Sequence, residues 1–144
     1  MSVREAQARW EGDLRGGKGT MRFGTGAFEG PYTFKSRFEE GPGTNPEELI
    51  AAAHAGCFSM AFSNMLAEAG HVPKRVSTTA KVHLGPVDGK PTIHTIDLDT
   101  EGDVPGISNE KFQEIAQKAK AGCPVSRALG AVKNITVNAR LQST

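Results

Sequence analysis

The chain holds two cysteines, Cys57 and Cys123, 66 positions apart. A thiol is a nucleophile only as a thiolate, so each site must supply something that holds the charge. Cys57 lies near the middle of a long apolar run. Desolvation there raises a thiol's pKa and leaves it inert unless a cation is brought to it. A helix dipole fades within the first turn and does not reach so far. The available cations are Lys35, Arg37, Arg127 and Lys133. Arg37 is preferred, because it stands shortly before the loop into the run, where Glu47 or Glu48 can hold it. Cys123 precedes Pro124 at a helix start, where backbone N–H groups favour a thiolate. One deep thiol and one at a helix start fit a peroxidatic and resolving pair. The first is oxidised to a sulfenic acid and the second condenses with it to a disulfide. Single catalytic thiols, or inert buried ones, are the alternatives.

The apolar walls of Phe58, Met60 and Phe62 suit the tail of an organic hydroperoxide. His54, three residues before Cys57, shares its helix face and opens a second chemistry, a Cys–His thiol hydrolase. No orienting partner or oxyanion motif supports it, and a core histidine bonded to a backbone carbonyl is the simpler reading. A third reading is a thiol sensor without turnover. Neither cysteine has a CxxC partner, and His71, His83 and His94 lack metal-ligand spacing, so no metal or cofactor is implied.

These residues need an element to position them, and the stretch from Asn45 to Gly70 is that element. Asn45 can cap, Pro46 suits the first helical position, and Glu48 completes a capping box. Gly70 stops the helix, which is about 24 residues or roughly 36 Å long. From Leu49 to Ala67 no side chain is formally charged. A helix without a polar face belongs in a core or a membrane. The alanines, His54, Ser59, Ser63 and Asn64, with no flanking basic cluster, argue for a buried central helix. Covering it within one small domain is difficult, so an obligate homodimer with a shared core is expected.

Before the helix, strands are expected at Val3–Glu11, Thr20–Phe23 and Tyr32–Phe38. In the last, Arg37 lies opposite the stripe of Tyr32, Phe34 and Phe38. After it, Arg75–Leu84 alternates cleanly and Asp88-Gly89 marks a turn. Thr92–Thr100 follows with Ile93 out of phase, which suggests a bulge. Ser108 caps a helix from Asn109 to about Ala121, and Ile135 to Leu141 forms a last strand. The whole, 1–144, reads as one α+β domain with antiparallel sheet packed on helices.

A net charge of +1 gives no electrostatic argument for nucleic acid or a membrane surface. The N-terminal residues lack a signal peptide's apolar run, which places the protein in the cytoplasm.

Arg37-Phe38-Glu39-Glu40-Gly41 and the run from Thr44-Asn45-Pro46-Glu47-Glu48 through His54-Ala55-Gly56-Cys57-Phe58-Ser59-Met60 resemble the osmotically inducible protein C family (OsmC). So do Trp10-Glu11-Gly12-Asp13 and Lys118-Ala119-Lys120-Ala121-Gly122-Cys123-Pro124-Val125-Ser126. The resemblance covers essentially the whole chain and favours the OsmC branch over the organic hydroperoxide resistance proteins. It implies an OsmC-like fold, an intertwined homodimer and a thiol-dependent peroxidase acting on organic hydroperoxides, and less well on hydrogen peroxide. It implies Cys57 as peroxidatic and Cys123 as resolving cysteine, Arg37 and Glu47 as the family's arginine and glutamate, and an external dithiol reductant such as a dihydrolipoyl protein.

Overall fold

The computed structural model describes residues 2–142. The chain divides into two compact units, one running to Leu49 and the other starting at Ile50.

The first unit is an antiparallel sheet of β1 (Ala6–Glu11), β2 (Lys18–Phe23) and β3 (Glu29–Tyr32), in that order. Glycine is required at position 19. A Cβ there would lie 2.6 Å from the Tyr32 ring and 2.8 Å from Trp10. Its absence lets those two rings pack with centroids 5.2 Å apart.

The expected strand over Tyr32–Phe38 is wrong beyond Tyr32. Residues Phe34–Phe38 form a short helix, α1. A reciprocal capping box overrides the strand-like alternation: the Ser36 N–H donates to Thr33 Oγ1 at 3.1 Å and the Thr33 N–H to Ser36 Oγ at 2.9 Å. Phe34 and Phe38, read as strand neighbours, are instead an i,i+4 helical pair with rings 5.0 Å apart. Arg37 therefore sits on a helix, not a strand.

The division between the units falls inside α2 (Pro46–Glu68). Asn45 caps it by accepting from the Glu48 N–H at 2.7 Å. The other half of the expected capping box does not form, because Glu48 accepts from the Thr44 hydroxyl at 2.7 Å. At the far end Gly70 takes φ +91°. The His71 N–H bonds to the Leu66 carbonyl and the Gly70 N–H to that of Ala67, the Schellman stop that glycine makes possible.

The second unit continues with β4 (Arg75–Val87), β5 (Lys90–Asp103), α3 (Asn109–Gly122), α4 (Pro124–Ala128) and β6 (Asn134–Leu141). Asp88 and Gly89, both at positive φ, make the two-residue hairpin turn between β4 and β5. The suggested bulge is present: His83 faces Thr95 but Leu84 faces Ile93, leaving His94 extra on β5. Sheet order is β4-β5-β6, and β6 runs parallel to β5. This corrects the all-antiparallel expectation. The helices α3 and α4 carry the chain back across the sheet, and such a crossover returns the next strand in the same direction.

The core lies among α2, this sheet and α3. Phe58, Phe62, Leu66, Ile96 and Phe112 are fully buried, with Phe62 5.1 Å from the Phe112 ring. By length and composition α2 could cross a membrane, but His54, Phe58, Phe62 and Leu66, four residues apart, are its buried stripe. The helix is buried on that side only. Ala52, Ala53, Gly56 and Met60 on the other side are exposed, Met60 to 77%. The unit has one sheet and one long helix to cover α2, and together they reach one face.

Candidate active site

In the second unit the two thiols meet. Cys123 is the N-cap of α4, with Pro124 at the first helical position. Its sulfur does what a capping oxygen does, accepting the Ser126 N–H at 3.3 Å. Cys57 comes near it from α2, close enough that each thiol shifts the ionisation of the other. The Val125 N–H favours the charged form of both thiols. The α4 N-terminus thus serves both sulfurs.

The two thiols are pushed in opposite directions. Burial raises Cys57 above the ordinary thiol value; the Val125 N–H opposes this, and Cys123 adds to it. Burial also pushes Cys123 up. There it is outweighed by the Ser126 hydroxyl, the Ser126 N–H, Cys57 and the Val125 N–H, so Cys123 lies below the ordinary value. Cys123 is therefore the more readily ionised of the two.

His54 is fully buried, and burial lowers its pKa, so the ring is neutral. It does not form the Cys57–His54 dyad of the hydrolase reading, nor bond to a backbone carbonyl. Its Nε2 lies 2.7 Å from Ser126 Oγ, and its Nδ1 has no hydrogen-bond partner. The Cys123 thiol in turn donates to Ser126 Oγ at 3.4 Å. Sequence reasoning missed Ser126. The available signal was its place three residues after Cys123, the N3 position that completes a capping motif.

In the first unit, Arg37 on α1 and Glu47 in the first turn of α2 form a two-point pair. Arg37 Nε donates to Oε1 at 3.0 Å and Nη2 to Oε2 at 2.9 Å. The α1 geometry fixes this: Ser36 Oγ donates to the Thr44 carbonyl at 2.7 Å, and Asn45 Nδ2 to the Ser36 carbonyl at 2.9 Å. Hydrogen bonding to Glu47 raises the Arg37 pKa further, so it is permanently charged. Glu48, the other candidate, is occupied by Thr44.

The expected pocket of Phe58, Met60 and Phe62 does not form. Phe58 and Phe62 are fully buried core residues, while Met60 projects from the exposed side of α2. Helical spacing separates 58 and 62 from 60 by more than a quarter-turn in each direction. An open hollow of about 230 Å³ instead lies beside Arg37, lined by Trp10, Leu14, Tyr32, Thr33, Phe34 and Phe38. Among the described residues no group of three His, Cys, Asp or Glu could hold a metal ion.

An α+β chain in which two neighbouring thiols meet at a helix N-terminus has the make-up of a two-cysteine redox protein. Comparison with known proteins makes this specific. The chain belongs to the OsmC family: the family described as OsmC-like protein matches residues 39–138. Peroxiredoxin OsmC of Escherichia coli is 52% identical over 141 residues, covering 97% of each chain. The organic hydroperoxide resistance protein of Xanthomonas axonopodis pv. citri is 35% identical over 89 residues, 61% of each. Among solved structures, an OsmC-like protein from Mycoplasma pneumoniae matches with a TM-score of 0.72, 20% identity and 99% of both chains. OhrB of Bacillus subtilis matches with a TM-score of 0.68, 24% identity, 96% of this chain and 98% of its own. These two show the fold.

Proposed function

We propose that this protein is a cysteine peroxidase that reduces organic hydroperoxides, and hydrogen peroxide less well, with Cys57 as peroxidatic and Cys123 as resolving cysteine. The observation that carries the reading is that the two thiols lie close enough at the start of α4 to shift each other's ionisation. The extensive identity to a relative named a peroxiredoxin supports it.

Arg37, held by Glu47, supplies the positive charge that Cys57 needs to ionise, and it polarises the peroxide. The Cys57 thiolate attacks the terminal peroxide oxygen, the O–O bond breaks, and the alkoxide takes a proton and leaves as the alcohol. Cys57 is then a sulfenic acid. Cys123 attacks its sulfur, water leaves, and a Cys57–Cys123 disulfide remains. An external dithiol, of the dihydrolipoyl class, returns both thiols. The aromatic hollow beside Arg37 receives the hydroperoxide's organic group.

The two units work as one peroxidase domain, and the active form is a cytoplasmic homodimer in which a second copy covers the exposed apolar side of α2. The test is peroxide consumption with a dithiol donor. The wild-type chain should turn over many times and Cys57→Ser should not. Multiple turnovers by Cys57→Ser would remove the assignment.

A further inference from the structure

His54 is an unusual core residue. It is fully buried and polar, yet only one of its two ring nitrogens is partnered. A histidine kept for structure is normally bonded through both, since leaving a buried polar atom unpaired forfeits the hydrogen bond it had in water. The one bond it makes leads to the chemistry. Nε2 meets Ser126 Oγ at 2.7 Å, and the same oxygen accepts from the Cys123 thiol at 3.4 Å. Ser126 is itself buried and is fixed by its N–H on the Cys123 sulfur. The three residues form one hydrogen-bonded line, from Cys123 Sγ through Ser126 Oγ to His54 Nε2; the tautomer with its proton on Nδ1 leaves Nε2 free to accept from Ser126.

We propose that Ser126 and His54 form a proton relay for Cys123, which deprotonates it for attack on oxidised Cys57. The Cys123 proton passes to Ser126 Oγ as the Ser126 proton passes to His54 Nε2. The Cys123 sulfur then bonds to the Cys57 sulfur and the Cys57 S–O bond breaks. Cys123 is oxidised from thiol to disulfide, and Cys57 is reduced from sulfenic acid to disulfide. The departing hydroxide takes up one proton as His54 gives one up, so a single water forms and His54 ends neutral. The neutral ring favoured by burial keeps the proton's stay on His54 short. Ser126 touches the reacting sulfur, while His54 acts through it as a positioning residue. The relay rests on the peroxidase reading but concerns its second step alone.

The test is a single turnover of the full chain with one equivalent of cumene hydroperoxide, followed in time. Dimedone trapping reports the sulfenic acid and thiol counting reports the disulfide. In Ser126→Ala and His54→Gln, disulfide formation should slow by about 10²-fold relative to sulfenic acid formation, the lower end for a general base, and sulfenic acid should accumulate. Ser126→Thr keeps a hydroxyl and should restore most of the rate. Disulfide formation at the wild-type rate in Ser126→Ala, or no rescue by Ser126→Thr, would overturn the relay. The wild-type chain offers a check that needs no variant. Two protons in flight give a curved proton inventory for disulfide formation in mixed H2O and D2O, and a linear inventory contradicts the proposal. If the wild-type chain loses no thiols at all, the peroxidase reading itself fails and the relay falls with it.

Discussion

Arg37 grips Glu47 with two parallel hydrogen bonds of 3.0 and 2.9 Å, from a five-residue helix to the first turn of the longest one. The arginine side chain is 36% exposed, and an ion pair so open to solvent adds about 1 kcal/mol of stability at most. Its value is geometric, since a planar fork held at two points cannot swing. Arg37→Ala should lower kcat/KM for an organic hydroperoxide by about 10²- to 10³-fold, the usual effect of removing a preorganised charge donor. Arg37→Lys should recover little, because an ammonium cannot reproduce the fork. Steady-state kinetics beside a thermal melt separates the effects: activity should fall steeply while Tm moves little.

The thiols should titrate in a defined order. In Cys57→Ser, the remaining Cys123 keeps the Ser126 hydroxyl and backbone N–H groups and should ionise below the ordinary thiol value. In a Cys123→Ser, Arg37→Ala double variant, burial governs Cys57 and should hold its ionisation above that value. Restoring Arg37 should bring Cys57 down. Thiolate absorbance near 240 nm against pH follows all three, with a lower pKa appearing as absorbance that rises at lower pH. Arg37 leaving the Cys57 titration unmoved would contradict its role.

Much of this was legible in the sequence, and the gaps have physical causes. The Asn45 cap, the Gly70 stop, the Asp88-Gly89 turn and the bulge next to Ile93 are local signals, and each is present. The α1 helix is ambiguous in sequence because Phe34 and Phe38 fit both a strand period and an i,i+4 spacing. A capping box of Thr33 and Ser36 decided between them, at a scale shorter than the periodicity. The parallel β6 depends on where α3 and α4 deliver the chain, which no strand pattern encodes. The pairing of Arg37 with Glu47 was foreseeable from two charges flanking one loop. The line from His54 to Ser126 spans 72 residues, and nothing in either local sequence announces it.

The apolar side of α2 offers a test of assembly. A Cβ at Gly56 would meet nothing within 4 Å in the single chain. Were that face solvated, Gly56→Ala should stabilise the helix by about 1 kcal/mol. A second copy packed there should reverse the sign, and Met60→Glu should shift the protein toward monomer. Sedimentation velocity with a parallel melt reads both, and a monomeric wild-type protein stabilised by Gly56→Ala would contradict the dimer.

Phe62 and Phe34 should part company under truncation. Phe62 is core, so Phe62→Ala should cost about 3–5 kcal/mol of stability. Phe34 lines the hollow beside Arg37. Phe34→Ala should raise KM for cumene hydroperoxide while leaving hydrogen peroxide nearly unaffected. Equal losses for both peroxides would remove the hollow from substrate binding.

The central claim is that Cys57 and Cys123 are one redox couple. Its most direct test is intact mass with thiol counting under denaturing, non-reducing conditions, after one equivalent of cumene hydroperoxide. The account predicts loss of both thiols in each chain and a mass lower by two hydrogens. In Cys123→Ser under excess peroxide it predicts instead a mass higher by two or three oxygens, as Cys57 over-oxidises with no partner. Two free thiols and an unchanged mass in the wild-type chain would contradict it.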